Sequence, residues 1–205
     1  MRMKTYNIMV TGVGGQGNLL CGAVLADAAM EAGLKPVMGE TFGASRRGGG
    51  VITHLRISDE DRGPLIPLRE VDLMVGMEPL ETLRAARDFG GQRTSIVMSD
   101  MRVETMDTLS GARRYPDVDE IADCLTELCR EVHVLSPSDS LEELGTTRVL
   151  NAYMIGASSY LIEMPMMYEN IVSALKKMHG NKDLNMRAFE QGIADAEFLT
   201  SGYDD

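Results

Sequence analysis

Cysteine is scarce in this chain. Only Cys21, Cys124 and Cys129 occur, at spacings that fit neither an iron–sulfur nor a zinc pattern. They are expected as small core residues, so the chain is not expected to ligate a metal or a cluster by itself. Long apolar runs are missing too: none approaches the roughly 20 residues that span a bilayer. The opening "MRMKTYNIMV" has early charges but no apolar h-region and no small-residue cleavage site. No signal peptide is expected, and the cytoplasm is the expected compartment. Basic charge is also short, with 20 Lys and Arg against 31 Asp and Glu and a net charge of −11. Nucleic-acid and anionic-membrane surfaces need a basic footprint, and this balance argues against both.

What is present is ordinary for a globular protein: 44% hydrophobic and 25% charged residues in 205. No internal repeat, low-complexity tract or dividing linker stands out, so residues 1–205 are expected to form one domain. "YNIMVT" (6–11) reads as a buried strand, and Gly17 to Ala32 as a helix rich in small residues that Gly33 ends. "KPVMGE" reads as a second strand. "VITHLRIS" (51–58) alternates, with Val51, Thr53, Leu55 and Ile57 on one face and Ile52, His54 and Arg56 on the other, so a half-buried strand is expected. "VDLMVG" (71–76) is a continuous apolar strand, and Pro79 opens a helix over "PLETLRAARDF". Further strands are expected at 94–99 and 131–136. Asp117 and Glu120 suggest a capping box on a helix with an apolar stripe of Val118, Ile121, Leu125 and Leu128. A buried helix over 146–163 and a last helix over 185–199, with Asn185 as N-cap, complete the pattern. Strand–helix alternation of this kind means a layered α/β domain.

The densest chemistry lies in "VTGVGGQGN" (10–18), where Gly12, Gly14 and Gly17 fit the G-x-G-x-x-G spacing of a dinucleotide-binding turn. A strand precedes it and a helix follows, so free amides and the positive end of the helix dipole face outward there. The acidic residue such a turn needs about 20 positions on would be Glu40. After it, "ETFGASRRGGG" sets Arg46 and Arg47 among glycines, a loop able to grip phosphate or carboxylate or to meet another subunit closely. The candidate cofactor-binding or subunit-contact residues are therefore Gly12, Gly14, Gly15, Gln16, Gly17, Glu40, Arg46, Arg47 and Gly48. Gln16 either donates to a partner or closes the turn. Glu78 stands where α/β sites gather, with a helix-capping role as the simpler reading. His54 lacks a positioned partner and is expected to be structural.

"VTGVGGQG", "GETFGASRRGG", "GPLIP", "MEPLETLR" and "NMRAFEQG" occur in the order expected for one family. The chain resembles the γ-type subunit of 2-oxoacid:ferredoxin oxidoreductases, and within that group the β subunit of indolepyruvate ferredoxin oxidoreductase. The resemblance runs from about residue 5 to residue 199. It departs at Phe42, where family members often carry His, and at Arg46, commonly Gln or Met. It implies a three-layer α/β/α domain with a mostly parallel, mixed sheet and a Rossmann-like start. It also implies a heteromeric enzyme that oxidatively decarboxylates aryl or other 2-oxo acids to acyl-CoA, with ferredoxin as electron acceptor. Thiamine diphosphate, iron–sulfur clusters and coenzyme A serve such a complex, and in the indolepyruvate type the large partner subunit carries the thiamine site and the clusters.

The residues agree with that division of labour, because no "GDG" thiamine signature occurs here. No catalytic residue is expected in this chain, which would be inactive alone. Self-association of the isolated chain stays open. So do two other readings: a stand-alone nucleotide-binding protein, and a scaffold whose turn binds no ligand.

Overall fold

The computed structural model of the chain describes residues 5–42, 49–104, 114–178 and 180–202. Its strands are β1 (Tyr6–Val13), β2 (Lys35–Phe42), β3 (Gly50–Ser58), β4 (Leu73–Gly76), β5 (Ser95–Ser99) and β6 (Glu131–Leu135). They form one sheet in the order β2-β3-β1-β4-β5-β6. From β1 through β4 and β5 to β6 the pairing is parallel, whereas β3 runs antiparallel to both β1 and β2. The sheet is therefore mixed, and its parallel half carries the continuous apolar runs that doubly covered strands require.

Helices cover both faces. Ile8, Val10, Leu73 and Val75 point into a core shared with α1 (Asn18–Glu31), α5 (Leu150–Leu161), α6 (Tyr168–Lys177) and α7 (Lys182–Ser201). Met9, Met74, Ile96 and Met98 point the other way, to α2 (Pro79–Phe89) and α3 (Val118–Leu128). A short α4 (Ser138–Glu143) follows β6. Strict alternation of side chains along each strand divides the two cores.

Small residues set the spacing between layers. A Cβ on Gly22 of α1 would lie 2.7 Å from Thr53 Cγ2, so this helix rests directly on β3. In the α5–α7 pair the fit is reciprocal. A Cβ on Gly156 would stand 2.0 Å from the Phe189 carbonyl oxygen, and one on Gly192 would stand 2.1 Å from that of Tyr153. Two backbones in contact bury nearly every side chain of α5, as its uniformly apolar sequence predicts.

Several expectations need correction. The last helix starts at Lys182, with Asn181 Oδ1 accepting from the Leu184 N–H at 3.1 Å, so Asn185 is a buried interior residue and not the cap. The polar first turn "KDLN" offers no apolar period to read. Helices α4 and α6 were not foreseen, and Cys124 is exposed on α3 while Cys21 and Cys129 are buried. On the second face of β3 Ile52 and Arg56 are half-buried, and His54 between them is 1% exposed. The segment after β3 folds back over it, pinned by Arg56 Nη1 donating to the Gly63 and Leu65 carbonyls at 3.1 and 3.2 Å.

That cover fixes the state of His54. The Ile66 N–H donates to Nδ1 at 3.3 Å, so the ring proton sits on Nε2, which faces Thr41 Oγ1 at 3.2 Å. The ring of Phe89 meets it edge-on at 5.6 Å. Burial pushes the imidazole pKa down from its ordinary value.

Two outcomes follow from this packing. Gly192→Ala should cost about 3 kcal/mol through overpacking, read by urea unfolding. An unchanged midpoint would show that the helices do not touch as described. His54 has a depressed pKa when folded, so its contribution is complete above the unfolded value of about 6.5 and is lost as pH falls below it. Urea unfolding between pH 8 and 5 should show this loss, and His54→Gln should flatten it.

Candidate functional site at the glycine turn

The C-terminal ends of β1, β4 and β5 share one rim of the sheet. The first of these ends runs through the glycine turn into α1. Gly15 and Gly17 have φ of 102° and 84°, left-handed values that favour glycine. Gly17 also serves as N-cap of α1, and the first turn holds no acidic side chain. The positive end of the helix is thus met by no carboxylate of its own first turn.

At Gly12 the close neighbour is the chain itself. A Cβ there would lie 2.6 Å from Gln16 Oε1, 2.7 Å from Asn18 Oδ1 and 2.9 Å from Met77 Cβ. Gln16 closes the turn twice over. Its Oε1 accepts from the Val13 N–H at 2.7 Å, and its Nε2 donates to the Met77 carbonyl at 3.1 Å. Asn18 Nδ2 donates to the Val13 carbonyl at 3.2 Å. Gly17, in turn, faces Asn151 at the start of α5, whose Nδ2 would be 3.1 Å from an added Cβ. Two fingerprint glycines therefore serve internal packing. Gly14 and Gly15 are exposed and open, beside Leu19 and Leu20 at 48% and 41% exposure.

Glu40 does not join them. In a doubly wound dinucleotide fold the second strand lies directly beside the first. Here β3 intervenes, so Glu40 stands two strand spacings from β1, about 10 Å. The row Glu40–Thr53–Val10 also sets it two residues short of Gly12 along the strands. Arg46, Arg47 and Gly48 lie outside the described residues.

Behind the turn the rim is held by a buried carboxylate. Glu78 is 1% exposed and caps α2, its Oε2 accepting from the Glu81 N–H at 2.8 Å. Its Oε1 accepts from the Tyr115 hydroxyl and, at 3.4 Å, from the Val103 N–H. Burial first, and Glu78 second, push the Tyr115 hydroxyl pKa up. The capping reading of Glu78 is thus the structural one. Glu81 lies against Gly50, where a Cβ would meet its Oε2 at 2.0 Å. Burial chiefly, and Glu78 in smaller part, raise its pKa against the opposing effect of Arg84. Asn151, Tyr115 and Glu81 were not singled out from sequence; each acts on a residue far away in the chain, and no local pattern marks such a contact.

Among the described residues no group of three or more His, Cys, Asp or Glu could share a metal ion. None of the described helices is long and apolar enough to cross a membrane. His54 faces Thr41 and Ile66, not the rim. What the rim offers outward is bare backbone at Gly14 and Gly15 and an apolar lip at Leu19 and Leu20.

Comparison with known proteins adds the following. A family model described as pyruvate ferredoxin/flavodoxin oxidoreductase matches residues 7–194. The indolepyruvate oxidoreductase subunit IorB of Archaeoglobus fulgidus is 35% identical over 192 residues, covering 93% of this chain and 94% of that one. A keto/oxoacid ferredoxin oxidoreductase γ subunit from Geobacter sulfurreducens superposes with a TM-score of 0.68 at 19% identity, over 94% of this chain and 99% of that one. The 2-oxoglutarate:ferredoxin oxidoreductase of Magnetococcus marinus, solved with 2-oxoglutarate, coenzyme A and succinyl-CoA, gives 0.69 at 23% identity. That match covers 96% of this chain and 32% of the longer one.

Gln16→Ala leaves the Val13 N–H and the Met77 carbonyl unpaired and should cost about 2 kcal/mol in urea unfolding. Stability equal to the parent would show that Gln16 is free to serve a partner instead.

Proposed function

The chain belongs to the pyruvate ferredoxin/flavodoxin oxidoreductase family, and we propose that it is the small, non-thiamine subunit of an indolepyruvate-type 2-oxoacid:ferredoxin oxidoreductase. The complex works in the cytoplasm, converting aryl or other 2-oxo acids to acyl-CoA and CO2 and passing the electrons to ferredoxin. One observation carries the reading: the match runs along 93% of this chain and 94% of a relative itself named as a subunit. In the complex, thiamine diphosphate supplies the carbon nucleophile for the keto group, iron–sulfur clusters carry single electrons, and coenzyme A takes the acyl group. All three are assigned to the assembly, with the thiamine site and clusters on the larger chain.

This chain contributes a rigid rim. Gln16, Asn18 and Asn151 fill the crevices at Gly12 and Gly17, so the turn is already packed from within. Gly14 and Gly15, lacking side chains, let another backbone approach closely. Leu19 and Leu20 give that approach an apolar anchor. We assign the surface of Gly14, Gly15, Leu19 and Leu20 to contact with the larger subunit, with Glu40 on its flank. The packed turn and the displaced Glu40 weigh against a stand-alone dinucleotide site.

Reconstitution tests this. Neither the purified chain nor the large cluster-bearing subunit should reduce ferredoxin alone with indolepyruvate and coenzyme A, and the mixture should. Leu19→Asp/Leu20→Asp should weaken association at least about tenfold with an unchanged thermal melt. Failure of the two parent chains to associate, or an inactive mixture, would sink the reading.

A further inference from the structure

Among the described residues, no strand pairs with the outer edge of β2. Pro36 stands opposite Ile57 in the antiparallel β2–β3 ladder and has no N–H to give. The bonds to β3 therefore run from Lys35, Val37, Gly39 and Thr41, and the main chain of Pro36, Met38, Glu40 and Phe42 points away from the sheet. The bonding of β1 to its two neighbours gives the same phase. The carbonyls of Asn7 and Thr11 face β4, where they accept from the Asp72 and Met77 amides. Ile8 and Val10 then bond β3 at Leu55 and Thr53, leaving His54 and Arg56 to bond Gly39 and Val37. Among the described residues no backbone hydrogen bond reaches the outward groups of β2.

We propose that this edge takes up an extended segment of the larger subunit as an added strand along Met38–Phe42, extending the sheet across the subunit boundary. The proposal rests on the subunit reading above. Two features favour that occupant over a second copy of this chain. Each copy carries a net charge of −11, so self-pairing sets like charges together. Lys35, one of the two charged residues of β2, already pairs with Asp61 at 3.3 Å. Glu40 is then left as the charge of the strand, and an antiparallel twin would bring a second Glu40 beside it. A partner segment with Lys or Arg near Glu40 meets no such penalty. The position also fits: Phe42, Val51 and Gly12 lie in one row across the sheet, so the added strand would reach the same rim as Gly14 and Leu19. Main-chain bonds would supply the affinity and the residue facing Glu40 the selectivity.

Residue-resolved hydrogen exchange on the free chain and on the reconstituted, ferredoxin-reducing complex tests this. Strand addition protects alternate amides: Met38, Glu40 and Phe42 should slow at least about tenfold on assembly. Val37, Gly39 and Thr41, already bonded to β3, should be slow in both states. An active complex in which Met38, Glu40 and Phe42 exchange as fast as in the free chain overturns the proposal and leaves the subunit reading intact. Protection that instead rises with the concentration of the free chain alone overturns it in favour of a second copy. Failure to form any complex removes both readings together.

Discussion

The antiparallel strand β3, lodged between β1 and β2, governs what the rest of the molecule can do. A G-x-G-x-x-G turn works as a dinucleotide clamp when the strand beside it delivers an acid to the ribose. With β3 in that place, Glu40 is held more than about 10 Å from the glycine turn, each facing its own surroundings. The same insertion puts β2 at the sheet edge, buries His54 under the returning segment and sets the phase of the unpaired main chain. A local motif is thus redirected by topology, which bears out the rule that function is read from a site and not from a fold.

The rim itself is made stiff by polar groups buried behind it. Gln16 ties the β1 turn to the carbonyl of Met77 at the end of β4. Glu78 ties the start of α2 to Val103 and Tyr115, both within the stretch between β5 and α3. Thr11 and Thr82 meet hydroxyl to hydroxyl at 3.1 Å, joining β1 to α2. A buried carboxylate is tolerable only with such donors. The consequence is an edge whose backbone is held in place before any partner arrives, which lowers the ordering cost of association.

Much of this was legible in the sequence, and the limits have physical causes. The helix from Pro79 to Phe89 was visible end to end because proline and the residue before it mark its start. The apolar stripe of α3 and the buried character of α5 were visible because periodicity reports burial directly. By contrast, Asn185 was misread as a cap because an equivalent Asn four residues earlier does that work at the head of a polar turn. The burial of His54 escaped because alternation describes a strand and not what later folds over it. Gly12, Gly17 and Gln16 were singled out as cofactor-binding or subunit-contact residues because glycine allows close approach. That the approaching groups are largely the chain's own depends on contacts between Gly12 and Met77, and between Gly17 and Asn151, which no spacing rule contains.

We propose that the open part of the glycine turn is a subunit contact. The structure of the reconstituted complex, read as the exposure of Gly14, Gly15, Leu19 and Leu20, tests it most directly. All four should be covered by the larger subunit. Finding them open to solvent, or finding a dinucleotide laid across Gly14, would contradict it.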